Sequence, residues 1–304
     1  MILCAGESLI DMVPQDGVFR PLAGGAVYNT AIALGRLGRD TGYLWPISRD
    51  PFGDVIMRPL TEAGVNIDLC PRTDRLTTLA LVTLTNGEAQ YSFYDEGSAG
   101  RMMNSEDIAP LPDTVTALFA GGISLVPDPC GATIEALITE HHDRLPVMID
   151  PNIRPFFITD PDAYRARLAR LLPMADIVKL SSDDLEWLHP GLSPEDAARQ
   201  VLAAGAKMVL QTGGESGAKA IWDGPTVSAP AVRTTVADTI GAGDTFNAGV
   251  LASLDRQGIL SKSGIAAITE DQIHVALTLG AKAAAITVSR PGANPPWEKE
   301  MTAA

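Results

Sequence analysis

Positive charge is scarce in this chain. Its 304 residues carry 23 Lys and Arg against 37 Asp and Glu, a formal net charge of −14. A surface of that sign is repelled by phosphate backbones and anionic lipid, which argues against nucleic acid or a membrane surface as a partner. Anionic small molecules stay open, because they need one local positive site. Cysteine is scarcer: Cys4, Cys70 and Cys130 are far apart and odd in number. That suits a reduced interior better than a disulfide framework or a zinc site. His141-His142 lies in a polar stretch with no ligand set around it, so it reads as a solvated helix end. No apolar run is long enough to span a bilayer, and no basic start with a long apolar region opens the chain. The expected location is cytoplasmic. Internal repeats, low-complexity tracts and a Gly-x-x-x-x-Gly-Lys-Ser/Thr loop are all missing.

What the chain does have is strand–helix alternation. Short apolar runs at 117–119, 147–149, 177–180 and 208–210 each lead within two residues to Gly, Asp, Ser or Thr, and helical patterns fill 164–172 and 194–204 between them. Such alternation predicts an α/β fold: a doubly wound, mainly parallel sheet with helices on both faces, binding its ligand beyond the carboxyl ends of the strands. The expectation is one domain over 1–304. Residues 78–85 and 88–94 break the pattern as β-rich stretches joined by Asn86-Gly87, a strong hairpin signal. With 18–22 they make either a small β lid, formed by about 12–22 and 68–96, or an edge hairpin of the main sheet. Tyr91, Phe93 and Tyr94 would suit a cover over a small molecule or a contact between two copies. The ending, 291–304, reads as a loop and a frayed terminus.

The run most loaded with chemistry is Asp238-Thr239-Ile240-Gly241-Ala242-Gly243-Asp244-Thr245-Phe246-Asn247-Ala248-Gly249. Phe246, Val250 and Leu254 follow the glycine turn at helical spacing. Glycines let the backbone close on a ligand, and the free N–H groups of a helix start attract phosphate. Asp244 beside such a pocket repels an anion unless its charge has work to do. Taking the proton of a hydroxyl that attacks a phosphoryl group is such work. The same run also reads as an ordinary helix cap. It is not a dinucleotide fingerprint, since Phe246 stands where the third glycine belongs. Nearer the start, Gly24-Gly25 opens a second helical pattern that carries Asn29, an amide able to donate and accept to adjacent hydroxyls. Asp11, after the first apolar strand, suits two further hydroxyl contacts or a turn.

With Gly24-Gly25, Asn29 and Gly35-Arg36-Leu37-Gly38 in front, and 238–246 behind, the chain resembles the ribokinase-like (PfkB) carbohydrate kinase family over nearly its whole length. The resemblance implies an ATP-dependent sugar kinase with magnesium, and in several members a monovalent cation such as potassium. Carried over, Asp244 is the catalytic base and Gly241, Ala242 and Gly243 form the anion hole. Sugar contacts fall on Asp11, Gly24, Gly25 and Asn29, with Tyr94, Arg101 and Arg154 as further candidates. The nucleotide falls on Lys179, Ser181, Thr212, Gly213 and Gly217. Where the family often has Asn-x-x-Glu to organise magnesium and its waters, this chain has Ser181 and Asp184, which leaves Asp184 to reach the metal through water. Asp238 matches a cation-holding position and equally suits a turn cap.

For the sugar, Asp150-Pro151-Asn152-Ile153-Arg154 resembles the Asp-x-Asn-x-Arg element of fructokinases and 2-keto-3-deoxygluconate kinases. Arg154 there suits a phosphoryl oxygen or a carboxylate. The stretch 93–101, Phe-Tyr-Asp-Glu-Gly-Ser-Ala-Gly-Arg, looks like bacterial fructokinases, and Asp95-Glu96 would repel an acid if they face the pocket. The expected substrate is therefore fructose, phosphorylated on its 6-hydroxyl. Ketodeoxygluconate is the alternative, and a catalytically silent sugar-binding regulator the alternative of another class. A homodimer through the β lid is the expected assembly if the lid pairs with a copy of itself.

Overall fold

The computed structural model describes residues 1–85 and 88–302. Strand β1 (Ile2–Ala5) is buried at every position, as a strand covered on both faces must be. The chain then leaves this sheet as a hairpin, β2 (Leu9–Gln15) and β3 (Val18–Gly24), turning through Asp16 and Gly17, both at positive φ. It returns through α1 (Ala26–Arg36), β4 (Thr41–Leu44), β5 (Ile47–Ser48), α2 (Pro51–Glu62) and β6 (Arg72–Thr73). A second excursion, β7 (Leu79–Thr85) and β8 (Glu88–Tyr94), joins the first in a four-stranded sheet of order β3-β2-β7-β8.

The regular alternation follows. It runs β9 (Ala117–Gly121), α3 (Cys130–His141), β10 (Val147–Asp150), α4 (Pro161–Leu171), β11 (Ile177–Ser181), α5 (Ser182–Leu188), α6 (Pro194–Ala204) and β12 (Met208–Thr212). The antiparallel β13 (Ala218–Trp222) and β14 (Val227–Ala229) close the sheet, and α7 (Ala242–Arg256), α8 (Lys262–Ala266), α9 (Glu270–Val288) and α10 (Glu298–Met301) end the chain. The eight-stranded order is β14-β13-β12-β11-β10-β9-β1-β4, parallel from β4 to β12. The order of winding reverses between β1 and β9, the place where a doubly wound sheet leaves a crevice. Helices α1, α7 and α9 pack together on the sheet. Gly249 and Gly280 let α7 and α9 approach closely: a Cβ on Gly249 would lie 2.6 Å from the Gly280 Cα.

Three expectations need adjustment. The lid starts earlier than expected, at Leu9, and 72–73 belong elsewhere, pairing with β5 in a separate two-stranded sheet. The Asn86-Gly87 turn lies outside the described residues. The ending is not a loose tail: Met301 is buried, Arg36 donates to the Asn294 Oδ1 at 2.7 Å and the Pro295 carbonyl at 2.8 Å, and its guanidinium lies over the Trp297 ring. Donors left at the carboxyl end of α1 thus seat the terminus, which hydropathy alone does not reveal. The three cysteines are free thiols. Among the described residues no helix is long and apolar enough to cross a membrane.

Candidate active site

Gly241 caps α7 at φ 77°, a left-handed conformation that a side chain would strain, and a Cβ there would press on the Ala293 side chain at 2.8 Å. The Ala242 N–H turns back to the Thr239 carbonyl at 3.3 Å, whereas among the described residues no acceptor meets the Gly241 and Gly243 amides. These two are the open donors of the turn. Asp244 follows as the third helical residue, buried, its Oδ2 accepting from the Asn29 Nδ2 at 2.8 Å. Asn29 stands on the first turn of α1, behind Gly24-Gly25, so the two glycine-opened helices meet at this bond. Thr30 reinforces it by donating to the Asp244 carbonyl at 3.2 Å. Burial pushes the Asp244 carboxyl up to about 6, with the Asn29 bond opposing; Asp150 adds to the rise, and Lys179 and Arg154 work against it.

A second charged group faces the same turn. The Lys179 Nζ lies 3.2 Å from where a Cβ on Gly243 would stand, and 3.2 Å from the Asp150 Oδ2. Burial pulls the lysine pKa down, but the carboxylates of Asp150, Asp184 and Asp244 more than offset it and hold the ammonium above its usual range. The site therefore offers two amides and one buried cation to an anion, with a carboxylate base beside them. That is the charge arrangement a phosphoryl transfer requires.

On the lid side, the Asp11 carboxylate packs over Gly24, where a Cβ would lie 2.6 Å from its Oδ2, and burial pushes it up to about 6. Asp11, Ala80 and Phe93 are register partners across β2, β7 and β8, so Phe93, and Tyr91 two residues before it, share the Asp11 face of the lid sheet. Tyr91 stacks on Phe156 (centroids 5.5 Å, planes 9° apart) and Phe93 meets Phe157 edge-on at 4.7 Å. These contacts join the lid to the turn just after Arg154. They correct the expectation for Tyr94: one residue from Phe93 on a strand, it points to the opposite face and is 62% exposed. Tyr91 and Phe93 hold the inward face instead, which strand alternation would have assigned once one of them was placed. Arg101 is likewise committed, donating to the Asp95 Oδ2 at 3.0 Å in a small cavity beside Glu7, Trp45 and Phe157. Asp95 is thus buried and neutralised by a partner, and Glu96 is exposed, so the pair does not present the repulsive charge expected from the sequence.

Ser181 and Thr212 are register partners at the carboxyl ends of β11 and β12. The loop beyond is tight: the Gly213 N–H donates to the Gly217 carbonyl at 2.9 Å, and Gly217 sits at φ 82° against the Ala229 carbonyl. Asp184 has both oxygens engaged, Oδ1 by the Ile153 N–H at 2.8 Å and Oδ2 by the Ser181 N–H and hydroxyl at 2.7 Å. It caps α5 and pins the loop that carries Arg154. Asp238 is similarly engaged by the Ile240 and Gly292 N–H groups, tying the glycine turn to the segment after α9. Among the described residues no group of three His, Cys, Asp or Glu is arranged to hold a metal. Asp150 and Asn247, which sequence reasoning did not place in the site, sit at its centre; the signal available was that Asp150 opens the element ending in Arg154.

Known proteins resemble this chain over nearly its whole length. The model of the pfkB family carbohydrate kinases matches residues 2–300. The fructokinase of Rhizobium leguminosarum bv. trifolii is 45% identical over 279 residues, 90% of this chain and 86% of its own. The fructokinase of Klebsiella pneumoniae is 30% identical over 286 residues, 91% of each chain. Among solved structures, a fructokinase from Xylella fastidiosa with bound ATP has a TM-score of 0.91 at 28% identity, over 99% of this chain and 97% of that one. This chain belongs to the pfkB family of carbohydrate kinases.

Proposed function

We propose that this kinase transfers the terminal phosphoryl group of ATP to the 6-hydroxyl of fructose. The observation that carries the reading is the meeting of Asp244, Asn29 and the open Gly241 and Gly243 amides, with Lys179 beside them. The hydroxyl proton passes to the Asp244 carboxylate as the sugar oxygen bonds to phosphorus. The bond from phosphorus to the bridging oxygen breaks, and ADP leaves. The two amides and Lys179 receive the charge on the moving group; losing one such donor commonly costs about 10²–10³ in rate. Asp11, Gly24, Gly25, Asn29 and Arg154 line the sugar side, and Arg101 supports it through Asp95. Ser181, Thr212, Gly213 and Gly217 receive the nucleotide.

Magnesium fits as an ion carried in on the nucleotide, since among the described residues no three His, Cys, Asp or Glu are placed to cage it and this ion keeps much of its water. When bound it neutralises phosphate charge, and Asp184 would order its waters. Potassium fits the turn that Asp238 shapes, where that carboxylate holds the backbone rather than standing free. The lid edge suits a homodimer contact. Fructose is favoured by the fructokinases named above. Ketodeoxygluconate stays as a second reading on one observation: Asp95 is paired with Arg101 and does not bar an acid.

The test is ADP release from magnesium-ATP with fructose or ketodeoxygluconate at equal concentration. Turnover with fructose and none with the acid is the expected result, and the reverse replaces the substrate. Binding of sugar with no turnover on either would make the protein a silent regulator. Asp244→Ala should abolish turnover while the fold survives; near-normal rates would refute the assigned base.

A further inference from the structure

Asp150 ends β10 at 1% exposure, and one carboxylate there serves three elements. Its Oδ2 lies 3.2 Å from the Lys179 Nζ of β11 and accepts from the Asn247 Nδ2 of α7 at 2.7 Å, while Oδ1 accepts from the Asn152 N–H at 3.0 Å. Asn247 is one turn beyond Asp244 on the same helix, so Asp150 ties the lysine strand to the helix that carries the base. The Asn247 Oδ1 is buried with no hydrogen-bond partner. Turning that amide over would set its oxygen against the Asp150 carboxylate, so the residue is held for its N–H. Lys179, with a side chain 5% exposed, has little water to hold its charge or its direction. Its free choice of rotamer is removed by Asp150 on one side and Gly243 on the other.

We infer that Asp150 and Asn247 are positioning residues for phosphoryl transfer, which keep the Lys179 ammonium charged and aimed at the Gly241–Gly243 turn, where it meets the terminal phosphate of the nucleotide. The inference rests on the kinase reading above, and goes beyond it in assigning roles to two residues buried at 1% exposure each. Lys179 depends on both because Asp150 is the carboxylate in contact with its ammonium, and the Asn247 bond fixes where that carboxylate stands. An error of about 1 Å in such a group costs about 10²-fold in rate.

The experiment compares the wild type with Asp150→Asn, Lys179→Met, the double variant and Asn247→Ala. Each is titrated with magnesium-ATP and magnesium-ADP and then assayed for turnover, with thermal melting as the check on folding. Asp150→Asn and Lys179→Met should each lower kcat by about 10²-fold with the sugar KM nearly unchanged, and each should erase the preference for ATP over ADP. The double variant should be no slower than Lys179→Met, because Asp150 acts through the lysine. It should also melt above Lys179→Met, which leaves a buried carboxylate unpaired. Asn247→Ala keeps the ion pair and should lose kcat without losing nucleotide affinity, which covers the case in which Asp150→Asn does not fold. Multiplying losses in the double variant, or an unchanged ATP preference in Asp150→Asn, would overturn the inference. A wild type that ignores fructose yet shows this ATP pattern would fault the substrate and leave the inference standing.

Discussion

Asp244 must be ionised to accept a proton, and burial works against that, pushing it up to about 6. The acid limb of kcat/KM should therefore fall with an apparent pKa near 6, as activity needs the base form. The same shift has a stability consequence. A carboxyl whose folded pKa stands above its ordinary 3.8 contributes stability that is full below about 4 and is lost as the pH rises through about 6. At neutral pH the wild type carries the cost of a buried charge, up to about 3 kcal/mol. Asp244→Asn can still accept the Asn29 bond and removes that cost. It should be inactive and melt several degrees above the wild type at about pH 8, with the gap closing towards about pH 4. Melts across that range check it, and a lower melting temperature at high pH would refute it. At this scale Asp244, Gly241 and Gly243 were legible in the sequence, because one local run fixes the turn, the helix start and the carboxylate together. Asp150, Lys179 and Asn247 were not legible as a unit. They are brought together by strand register and helix packing, with 97 residues separating the two that share a hydrogen bond.

The parallel strands were readable because a strand buried on both faces is a short unbroken apolar run, and α6 came out at its expected Pro194–Ala204 bounds because Ser193 and Pro194 mark its start. The lid was readable as β structure, but its inward face was not. Alternation gives two faces and does not say which one is covered. The stack of Tyr91 and Phe93 on Phe156 and Phe157 decides it. Because Phe156 is 59% exposed, its removal takes little from the core. Phe156→Ala should leave the melting temperature within a degree or so, and should loosen the lid by about 0.5–1.5 kcal/mol, the worth of an aromatic pair. Steady-state kinetics should then show the sugar KM rising by up to about tenfold with kcat less affected. An unchanged KM would mean that the stack is packing without a part in closure.

Edge strands and net charge decide what the whole molecule does with its copies. β3 is the outer strand of the lid sheet, and Val18, Phe19 and Leu22 on it are 59%, 46% and 51% exposed. An apolar, unpaired edge is a template for another chain, and Arg20 and Pro21 within it only blunt the pairing. Two copies that meet there each bring a net charge of −14, so long-range repulsion opposes a contact whose short-range part is apolar. Salt screens the first and leaves the second, since the Debye length falls from about 30 Å at 0.01 M to about 8 Å at physiological ionic strength. The proposed dimer should therefore tighten as salt is raised, the reverse of an assembly held by ion pairs. Sedimentation equilibrium across that range should show the mass moving from one chain towards two, and Phe19→Lys with Leu22→Lys should keep it at one. Leu22 is the register partner of Asp11 and shares its face, whereas Phe19 pairs with Pro14 on the other face, so the monomer given by Phe19→Lys alone also reports whether the lid needs its copy to close. A loss of sugar affinity in that monomer, with kcat retained at saturation, would place part of the lid's rigidity in the second chain.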